Sequence, residues 1–312
     1  MAHSTGLLFT SNWTDSGGIS VICPNGDTHS VLGTDLQNPI KPNGIALESN
    51  GHFLLAHLGE TGGGIYRLAP NGTVSGVVTH ANGYPLPPTN FVALDAIGRI
   101  WITVSTTVCP RANDYRKNAC SGFIAVAEQG QYNARIVVSN LAYANECVVD
   151  MHNNYVYVNE TFGRRLLRFD LATDGALSNR HVLTTFNMGT YPDGLTLEES
   201  GSLIVTSLVS NRVIKVSPTG EQELILEDAD NAFVEMAEFA YGSDSLSSKH
   251  LASTGNTKLA NISSLAFGGK NKSTAYLGNL LGSCLHSFNT AMHGVTPSHW
   301  NAPLGYLEQY LK

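Results

Sequence analysis

The sequence predicts an all-β fold built from six repeated units, and three observations support this prediction. Short runs rich in β-branched and aromatic residues recur between Gly and Asn turns, namely LLFTS, FLLAH, RIWITVS, YVYVNE, SLIVTSL and TAYLGNL. A second run follows each of these, and no segment competes as a long amphipathic helix. The repeat length of about 40 to 55 residues is typical of one four-stranded blade of a propeller.

The remaining strands of each unit are assigned from the order of the runs. The second runs are GISVICP, GIYRLAP, GFIAVAE, LLRFDLA, VIKVSPT and CLHSFN, and third runs such as THSVLG, TVSGVV, ARIVVS and EQELILE come after them. Tight turns with glycine separate five of the second runs from the next strand, as at Pro24-Asn25-Gly26 and Asp174-Gly175. Five units also open with a further run: PNGIAL, TNFVAL, NECVVD, PDGLTL or SSLAFGG. We therefore predict a six-bladed β-propeller with four-stranded antiparallel blades around a central channel, as a single domain over 1–312.

The sequence pattern does not assign a complete set of strands to the first and last blades. The first unit lacks its opening strand and the last lacks a clear closing strand. Either the segment of about 295–312 helps to close the ring, or the N-terminus is shortened. The long connections, 79–88, 106–121 and 227–259, are all expected on one face of the disc, which is where sites on propellers usually lie.

Composition excludes several classes of partner. The net charge is −7 with 18 Lys plus Arg in 312 residues, so the basic surface that nucleic-acid binding needs is missing. No apolar run is long enough to span a membrane, and the start of the chain does not resemble a secretory signal. We expect a cytoplasmic protein, or a secreted one if its N-terminus was truncated, that acts on a small molecule. Cys109 and Cys120 lie in one polar loop, where they can form a disulfide or remain free thiols.

Five polar residues occupy the same position in successive blades. They open the innermost strands, which line the channel, and are Asn43, Asn90, Asn145, Asp193 and Ser263. Amide and carboxylate oxygens are the ligands of hard cations such as Ca²⁺ or Mg²⁺. Turn formation is an alternative role for each residue taken singly, because Asn-Gly and Asp-Gly are strong turn signals. The shared register nevertheless favours a site at one mouth of the channel.

Four segments resemble the regucalcin, gluconolactonase and luciferin-regenerating-enzyme family. They are PNGIALESNGHFLLAH, NECVVDMHNNYVYVNETFGRRLLRFDL, YPDGLTLEESGSLIVTSLVSNRVIKVSPTG and NISSLAFGGKNKSTAYLGNLLG. The resemblance implies a six-bladed propeller that holds a divalent cation, Ca²⁺ first and Mg²⁺, Mn²⁺ or Zn²⁺ as alternatives, and that hydrolyses lactones or related esters. It also implies that Asn90, Asn145 and Asp193 are metal ligands, and that Asp193 is the catalytic proton donor and acceptor.

One family feature has no counterpart in this sequence. The glutamate on the first-blade opening strand is missing, and Glu146, Glu308 or water are the candidate substitutes. The predicted substrate-pocket residues are Asn43, His57, Glu146, Glu160, Tyr191 and Ser263. The alternative to a pocket role is packing or solvent exposure for His57 and buried aromatic packing for Tyr191. For Glu160 the alternative is an ion pair with Arg164 or Arg165. Charged and aromatic residues of the long loop, Arg111, Asp114, Tyr115 and Arg116, form a lid over the substrate or a solvated loop.

Three functions remain open from the sequence. A metal-dependent hydrolase of a lactone or ester leads, with Asp193 as general base and acid. The same cation can instead serve a non-hydrolytic isomerase, cyclase or lyase. A binding propeller with a structural ion is the third. The sequence has no G-x-S-x-G, Walker, CxxC or HExxH motif, which disfavours serine hydrolases, phosphate-loop enzymes and zinc proteases.

Overall fold

A computed structural model describes residues 1–311, and it folds them into six sheets around a central axis, which are antiparallel except where β13 pairs with β8. The predicted six-bladed β-propeller is therefore confirmed. The first blade contains β1 (Leu8–Asn12), β2 (Gly18–Ile22) and β3 (Thr28–Leu32), and the second contains β4 (Pro42–Leu47), β5 (Phe53–His57), β6 (Ile65–Leu68) and β7 (Val74–Val78). The third contains β10 (Phe91–Leu94), β11 (Ile100–Val104), β12 (Gly122–Ala127) and β13 (Asn133–Leu141), with a hairpin of β8 (His80–Ala81) and β9 (Tyr84–Pro85) on its outer edge.

The remaining three blades come in chain order. The fourth contains β14 (Ala144–Asp150), β15 (Tyr155–Glu160), β16 (Arg165–Leu171) and β17 (Leu177–Thr185), and the fifth contains β18 (Thr190–Leu197), β19 (Leu203–Val209), β20 (Arg212–Val216) and β21 (Gln222–Glu227). The sixth contains β22 (Ile262–Gly268), β23 (Thr274–Asn279) and β24 (His286–Asn289). Helices α1 (Asn231–Gly242) and α2 (Ser248–Leu251) lie between the fifth and sixth blades, and 3₁₀ helices cover Arg111–Asp114 and Gly305–Leu311.

The core lies between facing sheets and is made of their alternating apolar side chains. Leu54 and Ile65 of the second blade pack in one cluster with Val92 and Ile102 of the third, and all four are at most 1% exposed. Strands whose two faces both meet a neighbouring blade read as continuous apolar runs, such as IWITV in β11. Packing between blades therefore orders the innermost strands, which carry the candidate site.

Two glycines allow the innermost strands to approach each other closely at the axis. A Cβ atom on Gly44 would lie 2.7 Å from the Cα of Phe91, and one on Gly194 would lie 2.6 Å from the Cα of Ser264. Both distances are too short for any side chain, so only glycine fits. This explains the Asn-Gly and Asp-Gly pairs at these positions, which hold the preceding polar residue at the channel wall.

The first blade has three long strands, as the sequence predicted, and a short innermost segment. Ala2 forms an isolated antiparallel bridge with Leu8, and the Phe9 amide donates to the Met1 carbonyl at 2.9 Å. Residues 1–12 contain no Asp or Glu. Residues 1–12 therefore contribute no carboxylate to the first-blade side of the channel.

The C-terminal segment crosses the end of the channel opposite the candidate site. The Val295 amide donates to the carbonyl of Leu197, the last residue of β18, and the Trp300 carbonyl accepts from the Ser4 amide at 2.9 Å. Leu307 then packs in the core of the first blade. Residues 295–311 thus connect the fifth blade with the first. Residue 312 of the predicted closing segment lies outside the described residues.

The connection between the fifth and sixth blades contains helices that the sequence did not predict. The segment 227–259 was expected to be a loop, but it contains the twelve-residue helix α1. The Asp230 side chain caps this helix by accepting hydrogen bonds from the amides of Ala232 and Phe233. An Asp followed by apolar residues at helical spacing was the available signal. None of the helices within 1–311 has the length and apolar character to cross a membrane.

Candidate metal and substrate site

The structure brings the five register residues to one mouth of the channel. Four of the five innermost strands have an irregularity at this point: the strand pairing shifts between Pro42 and Ile45 in β4, Ala144 and Cys147 in β14, Pro192 and Leu195 in β18, and Ile262 and Ser264 in β22. Such β-bulges re-aim side chains and are frequent beside active sites. In the third blade, Asn90 lies just before β10. The bulges are a feature that sequence reasoning missed, because a strand and a bulged strand have nearly the same composition.

The side chains at this mouth form a chain of hydrogen bonds from blade to blade. Asn43 Nδ2 donates to the Asn90 carbonyl at 2.8 Å, and Asn90 Nδ2 donates to Asn145 Oδ1 at 2.7 Å. Asn145 Nδ2 donates to Thr161 Oγ1 at 3.0 Å, and the Asn145 amide is close enough to Asp193 to lower the pKa of its carboxyl group. Asn90, Asn145 and Asp193 are 4 to 7% exposed. Of the three predicted metal ligands, Asn90 and Asn145 are therefore in direct contact, and Asp193 lies beside Asn145.

Residues of β15 and the turn after it hold the backbone next to Asp193 in place. Asn159 Nδ2 donates to the carbonyls of Asp193 and Gly194 at 3.1 and 3.0 Å, and Thr161 Oγ1 donates to the Pro192 carbonyl at 2.8 Å. These bonds satisfy backbone groups that the bulge in β18 removes from the sheet. Asp193 is thus fixed by the neighbouring blade as well as by its own strand.

Two carboxyl groups at the mouth, those of the buried Asp193 and the half-buried Glu146, have no cationic side chain in ion-pair contact within residues 1–311. Burial raises the pKa of Asp193 to about 8, and the charge of Arg111 and the Asn145 hydrogen bond oppose this only in part. Burial likewise raises the pKa of Glu146 to about 8, with a smaller contribution from the nearby Asp193 charge. Glu146 Oε2 accepts a hydrogen bond from the Leu195 amide at 2.9 Å. Both ionised forms are therefore costly in the protein alone.

This donor set fits a hard divalent cation. Amide and carboxylate oxygens are the preferred ligands of such ions, and an ion at the mouth would stabilise the ionised carboxyl groups that burial disfavours. Within residues 1–311 no cluster of three or more His, Cys, Asp or Glu side chains is arranged to hold a metal. A site here would therefore depend on the amide oxygens of Asn90 and Asn145 beside Asp193. Softer metals, which favour His and Cys, fit it less well.

Glu146 and Glu308, the two candidate substitutes for the family glutamate, lie in different places. Glu146 is at the mouth, directly after Asn145 and close enough to Asp193 for their charges to interact. Glu308 is exposed in the 3₁₀ helix Gly305–Leu311, which packs on the first blade with the segment that crosses the opposite end of the channel. Glu308 therefore lies away from the mouth, whereas Glu146 lies at it.

A wall of aromatic residues and one arginine border the site. Tyr143, Phe162 and Tyr191 pack edge to face, with ring centroids 4.7 Å apart for the first two and 6.2 Å for the last two. The Arg111 guanidinium lies 5.5 Å from the Tyr143 ring centroid, and its Nη2 is 3.4 Å from Asn90 Oδ1. Tyr143 has φ 68°, a left-handed conformation that is strained for a bulky residue. No sequence signal identified Tyr143, while Arg111 was among the lid residues considered.

Other predicted pocket residues have contacts of a different kind. Tyr191 is fully buried, and its hydroxyl donates to Glu238 Oε1 of α1 at 3.0 Å. Ser263 is half-buried beside Gly194, on the same side of the mouth as Asp193. These two residues border the site, so their pocket roles stay predictions.

His57 and Glu160 are not brought into the hydrogen-bonded chain at the mouth. His57 Nδ1 accepts from the Lys41 amide at 3.0 Å, and its ring lines a cavity of about 410 Å³ with Ile40 and Tyr66. The Glu160 carboxylate is fully buried and accepts from the Ala142 amide and from two arginines. These contacts are structural, and substrate contact by either residue remains a prediction. Cys109 and Cys120 are both free thiols in the structure.

Comparison with known proteins places this architecture in a family. The model of the SMP-30/Gluconolactonase/LRE-like region matches residues 24–228, which is more than half of the chain and includes Asn90, Asn145 and Asp193. The chain belongs to the SMP-30/gluconolactonase/LRE-like family. A search of curated protein sequences finds no match. Membership agrees with the resemblance seen in the sequence and with the six-bladed fold.

Solved structures with the same fold share little sequence with this chain. A gluconolactonase from Xanthomonas campestris has a TM-score of 0.66 at 16% identity, covering 91% of this chain and 82% of that one. A calcium-binding protein, regucalcin, from Agrobacterium tumefaciens has a TM-score of 0.66 at 13% identity, covering 96% and 92%. A virginiamycin B lyase from Staphylococcus aureus has a TM-score of 0.56 at 15% identity, covering 89% and 75%. At these identities the likeness extends to the fold alone.

Proposed function

We propose that this protein is a divalent-cation-dependent hydrolase of a lactone or related ester, and that it acts on a small-molecule substrate at the mouth of the channel. The observation that carries the proposal is the pair of carboxyl groups with raised pKa values, Asp193 and Glu146, beside the amide oxygens of Asn90 and Asn145. Buried acids with raised pKa values in a cleft are typical of functional sites. Membership of a family whose name includes a gluconolactonase supports the choice of reaction.

Each residue has a distinct role in this proposal. Asn90, Asn145 and Asp193 hold the cation, for which Ca²⁺ is the first candidate and Mg²⁺, Mn²⁺ and Zn²⁺ are alternatives. When bound, the cation supplies Lewis-acid stabilisation of charge on the substrate carbonyl. Asp193 accepts a proton from the attacking water and returns one to the leaving alkoxide. Asn145 keeps the Asp193 carboxyl oriented, and Asn159 fixes its backbone.

Glu146 takes part of the role that the first-blade glutamate has in the family. Its position next to Asn145 adds a second negative charge to the mouth, and the Leu195 amide fixes one of its oxygens. The two acids repel each other, so each makes the other easier to protonate. A divalent cation at the mouth would offset this repulsion by its charge, so its binding and the ionisation of Asp193 would be coupled.

The experiment combines metal analysis with a lactone screen. The purified protein is analysed for bound elements and then assayed on glucono-δ-lactone and a panel of γ- and δ-lactones, before and after chelation and after addition of single divalent cations. We expect turnover that chelation abolishes and a cation restores, with one atom of ¹⁸O from labelled water in the product. Turnover without label would instead indicate an isomerase, cyclase or lyase, a class to which one structural neighbour belongs. Cation-dependent stabilisation without any turnover would indicate a binding propeller.

A further inference from the structure

We propose that Arg111 binds a carboxylate group of the substrate, so that the lactone or ester acted on at this site is an anionic one. The inference deepens the proposed function and rests on it for the reaction, but not for the binding of the carboxylate. It starts from an arginine at the mouth whose charge the described protein does not neutralise by direct contact.

The guanidinium of Arg111 has unusual surroundings. Its Nη2 lies 3.4 Å from Asn90 Oδ1 and 3.3 Å from Ser105 Oγ, which are both uncharged oxygens at long hydrogen-bond distance. Its Nε is buried and has no hydrogen-bond partner in the described part of the chain. Among residues 1–311 no carboxylate oxygen lies within 4 Å of it, whereas Arg67, Arg99 and Arg212 each form an ion pair at 2.6 Å. A buried N–H donor without a partner is costly, and a ligand oxygen would satisfy it.

The loop that carries Arg111 is held in place by a buried acid. Asp114 is 1% exposed and accepts hydrogen bonds from Thr106 Oγ1 at 2.6 Å and from Ser121 Oγ at 3.1 Å, at the two ends of the loop. Arg111 begins the 3₁₀ helix that ends at Asp114. The Tyr143 ring lies beside the guanidinium at 5.5 Å, supported by Phe162. Arg111 is therefore pre-positioned at the mouth, and binding of a ligand need not order it first.

The charge balance of the mouth favours an anion. A divalent cation together with Arg111 carries more positive charge than Asp193 and Glu146 carry negative charge, even when both acids are ionised. Some positive charge is therefore left for the substrate to neutralise. A planar guanidinium matches a carboxylate through two parallel N–H···O bonds, which makes arginine the preferred residue for this contact. The neighbouring Asn90 places the bound carboxylate close to the cation ligands, so the reacting carbonyl of the same small molecule can reach them.

The test uses two lactones that differ in one carboxylate. They are γ-butyrolactone and its carboxylated counterpart, 5-oxotetrahydrofuran-2-carboxylate, with the methyl ester of the latter as a neutral control of similar size. In the cation-free protein, in which chelation is expected to abolish turnover so that equilibrium binding can be measured, we expect the carboxylate to bind more tightly than its methyl ester by calorimetry. Arg111→Gln should lower the ratio of carboxylate to ester affinity about 10- to 100-fold, the range for a charged hydrogen bond. Arg111→Lys, which keeps the charge but not the fork, should give an intermediate ratio.

A matched control comes from the same loop. Lys117 is exposed and forms no ion pair within residues 1–311, so Lys117→Gln removes the same charge and should leave the ratio unchanged. Melting temperatures of all variants show whether the loop variants fold. Equal affinity of the wild-type protein for the carboxylate and its methyl ester would overturn the proposal, and so would a ratio that Arg111→Gln does not change.

Different outcomes would contradict the carboxylate site and the hydrolase. Binding of the carboxylate that depends on Arg111, in a protein that hydrolyses none of the lactones, would contradict the hydrolase and leave the carboxylate site in place. Hydrolysis of neutral and carboxylated lactones with equal kcat/KM in the wild-type protein would support the hydrolase and contradict the carboxylate site. Arg111→Gln could lose all binding and turnover because it no longer folds, which a much lower melting temperature would show. Arg111→Lys then becomes the deciding variant. A carboxylate preference in Arg111→Lys equal to that of the wild-type protein would contradict bidentate binding.

Discussion

Two buried acids on neighbouring blades, Glu160 and Asp193, are treated in opposite ways by the protein around them. Glu160 ends β15 and accepts hydrogen bonds from Arg165 at 2.7 Å, Arg180 at 2.9 Å and the Ala142 amide at 2.7 Å. Asp193 has the amide of Asn145 beside it, and the Arg111 charge acts on it from beyond ion-pair distance. The negative charge of Glu160 is compensated by arginines of the protein itself. The negative charge of Asp193 has no such partner and is available to a ligand.

This difference separates a structural acid from a functional one. A buried acid with arginine partners links strands, and nothing further needs to bind to it. A buried acid without such a partner destabilises the folded protein when it ionises, and such an arrangement is typical of sites that bind ions or transfer protons. Substitutions at the two acids and at the strands around them test whether the acids differ in this way.

The largest expected effect is on turnover in Asp193→Asn. The amide can still occupy the space and contact Asn145, but it can neither accept the proton of the attacking water nor give the cation its negative charge. We expect kcat/KM to fall at least about 1,000-fold, which corresponds to about 4 kcal/mol of transition-state stabilisation. Steady-state assays in saturating Ca²⁺ measure this, with circular dichroism as the control for folding. A decrease of less than tenfold would remove Asp193 from the proposed mechanism.

The second prediction concerns the close approach of strands that places Asp193 at the axis. Gly194→Ala would put a Cβ 2.6 Å from the Cα of Ser264, so the backbone of β18 or β22 must move. We expect a loss of about 1–3 kcal/mol in the free energy of unfolding, as for other overpacked positions. Urea denaturation measures it.

Gly62→Ala is the matched control for this substitution. No heavy atom lies within 4 Å of a Cβ built on Gly62, so that variant should keep the stability of the wild-type protein. Equal stabilities for the two variants would show that the strands at the axis tolerate a methyl group, and the tight contact would then not explain the Asp-Gly pair.

The third prediction tests the compensated acid. Glu160→Gln leaves Arg165 and Arg180 without a carboxylate, and each of these arginine side chains is about a third exposed, so water compensates them in part. We expect a loss of about 1–2 kcal/mol in the free energy of unfolding with little change in kcat/KM. A large loss of turnover at unchanged stability would instead support the sequence-based prediction that Glu160 contacts substrate.

The sequence was sufficient to predict the repeat and the residues at the mouth. Strand alternation and turns indicated six blades, and the register of Asn43, Asn90, Asn145, Asp193 and Ser263 indicated a convergent site, because each of these signals is local and repeated six or nearly six times. Local signals cannot report a contact between distant segments. The pairing of Glu160 with Arg180 and the approach of Arg111 to Asn90 were therefore not predicted.

Local backbone conformation was the second feature that the sequence did not predict. The bulges that turn Asn145 and Asp193 to the mouth, and the left-handed Tyr143 beside them, depend on packing of one blade against the next. A tyrosine has no intrinsic preference for positive φ, so no residue type marked this position. Helix α1 was not predicted for a different reason. The sequence does contain its Asp230 cap, but the repeated strand pattern on both sides favoured a connecting loop.

The last prediction is the dependence of stability on pH in the cation-free protein. Burial raises the pKa values of Asp193 and Glu146 to about 8, whereas the same groups ionise at about 4 in an unfolded chain. Between these values the folded protein binds protons that the unfolded chain has released. The stability contributed by these two groups is therefore fully present at and below pH 4, decreases between pH 4 and pH 8, and is gone above pH 8. The slope is up to about 1.4 kcal/mol per pH unit for each carboxyl group.

Urea denaturation in a chelator between pH 5 and pH 8 measures this slope against that of Asp193→Asn, which lacks one of the two protons. We expect the variant to be less sensitive to pH than the wild-type protein and more stable at pH 8, because it no longer ionises a buried group. Saturating Ca²⁺ should flatten the wild-type slope, since the ion stabilises the ionised carboxyl groups in the folded state only. Groups with lowered pKa values, such as His299 and the N-terminus, oppose this slope equally in both proteins, so the difference between wild type and variant is the quantity that reports on Asp193. If the two proteins instead had the same pH dependence in chelator, Asp193 would be compensated as Glu160 is, and the distinction between the two acids would fail.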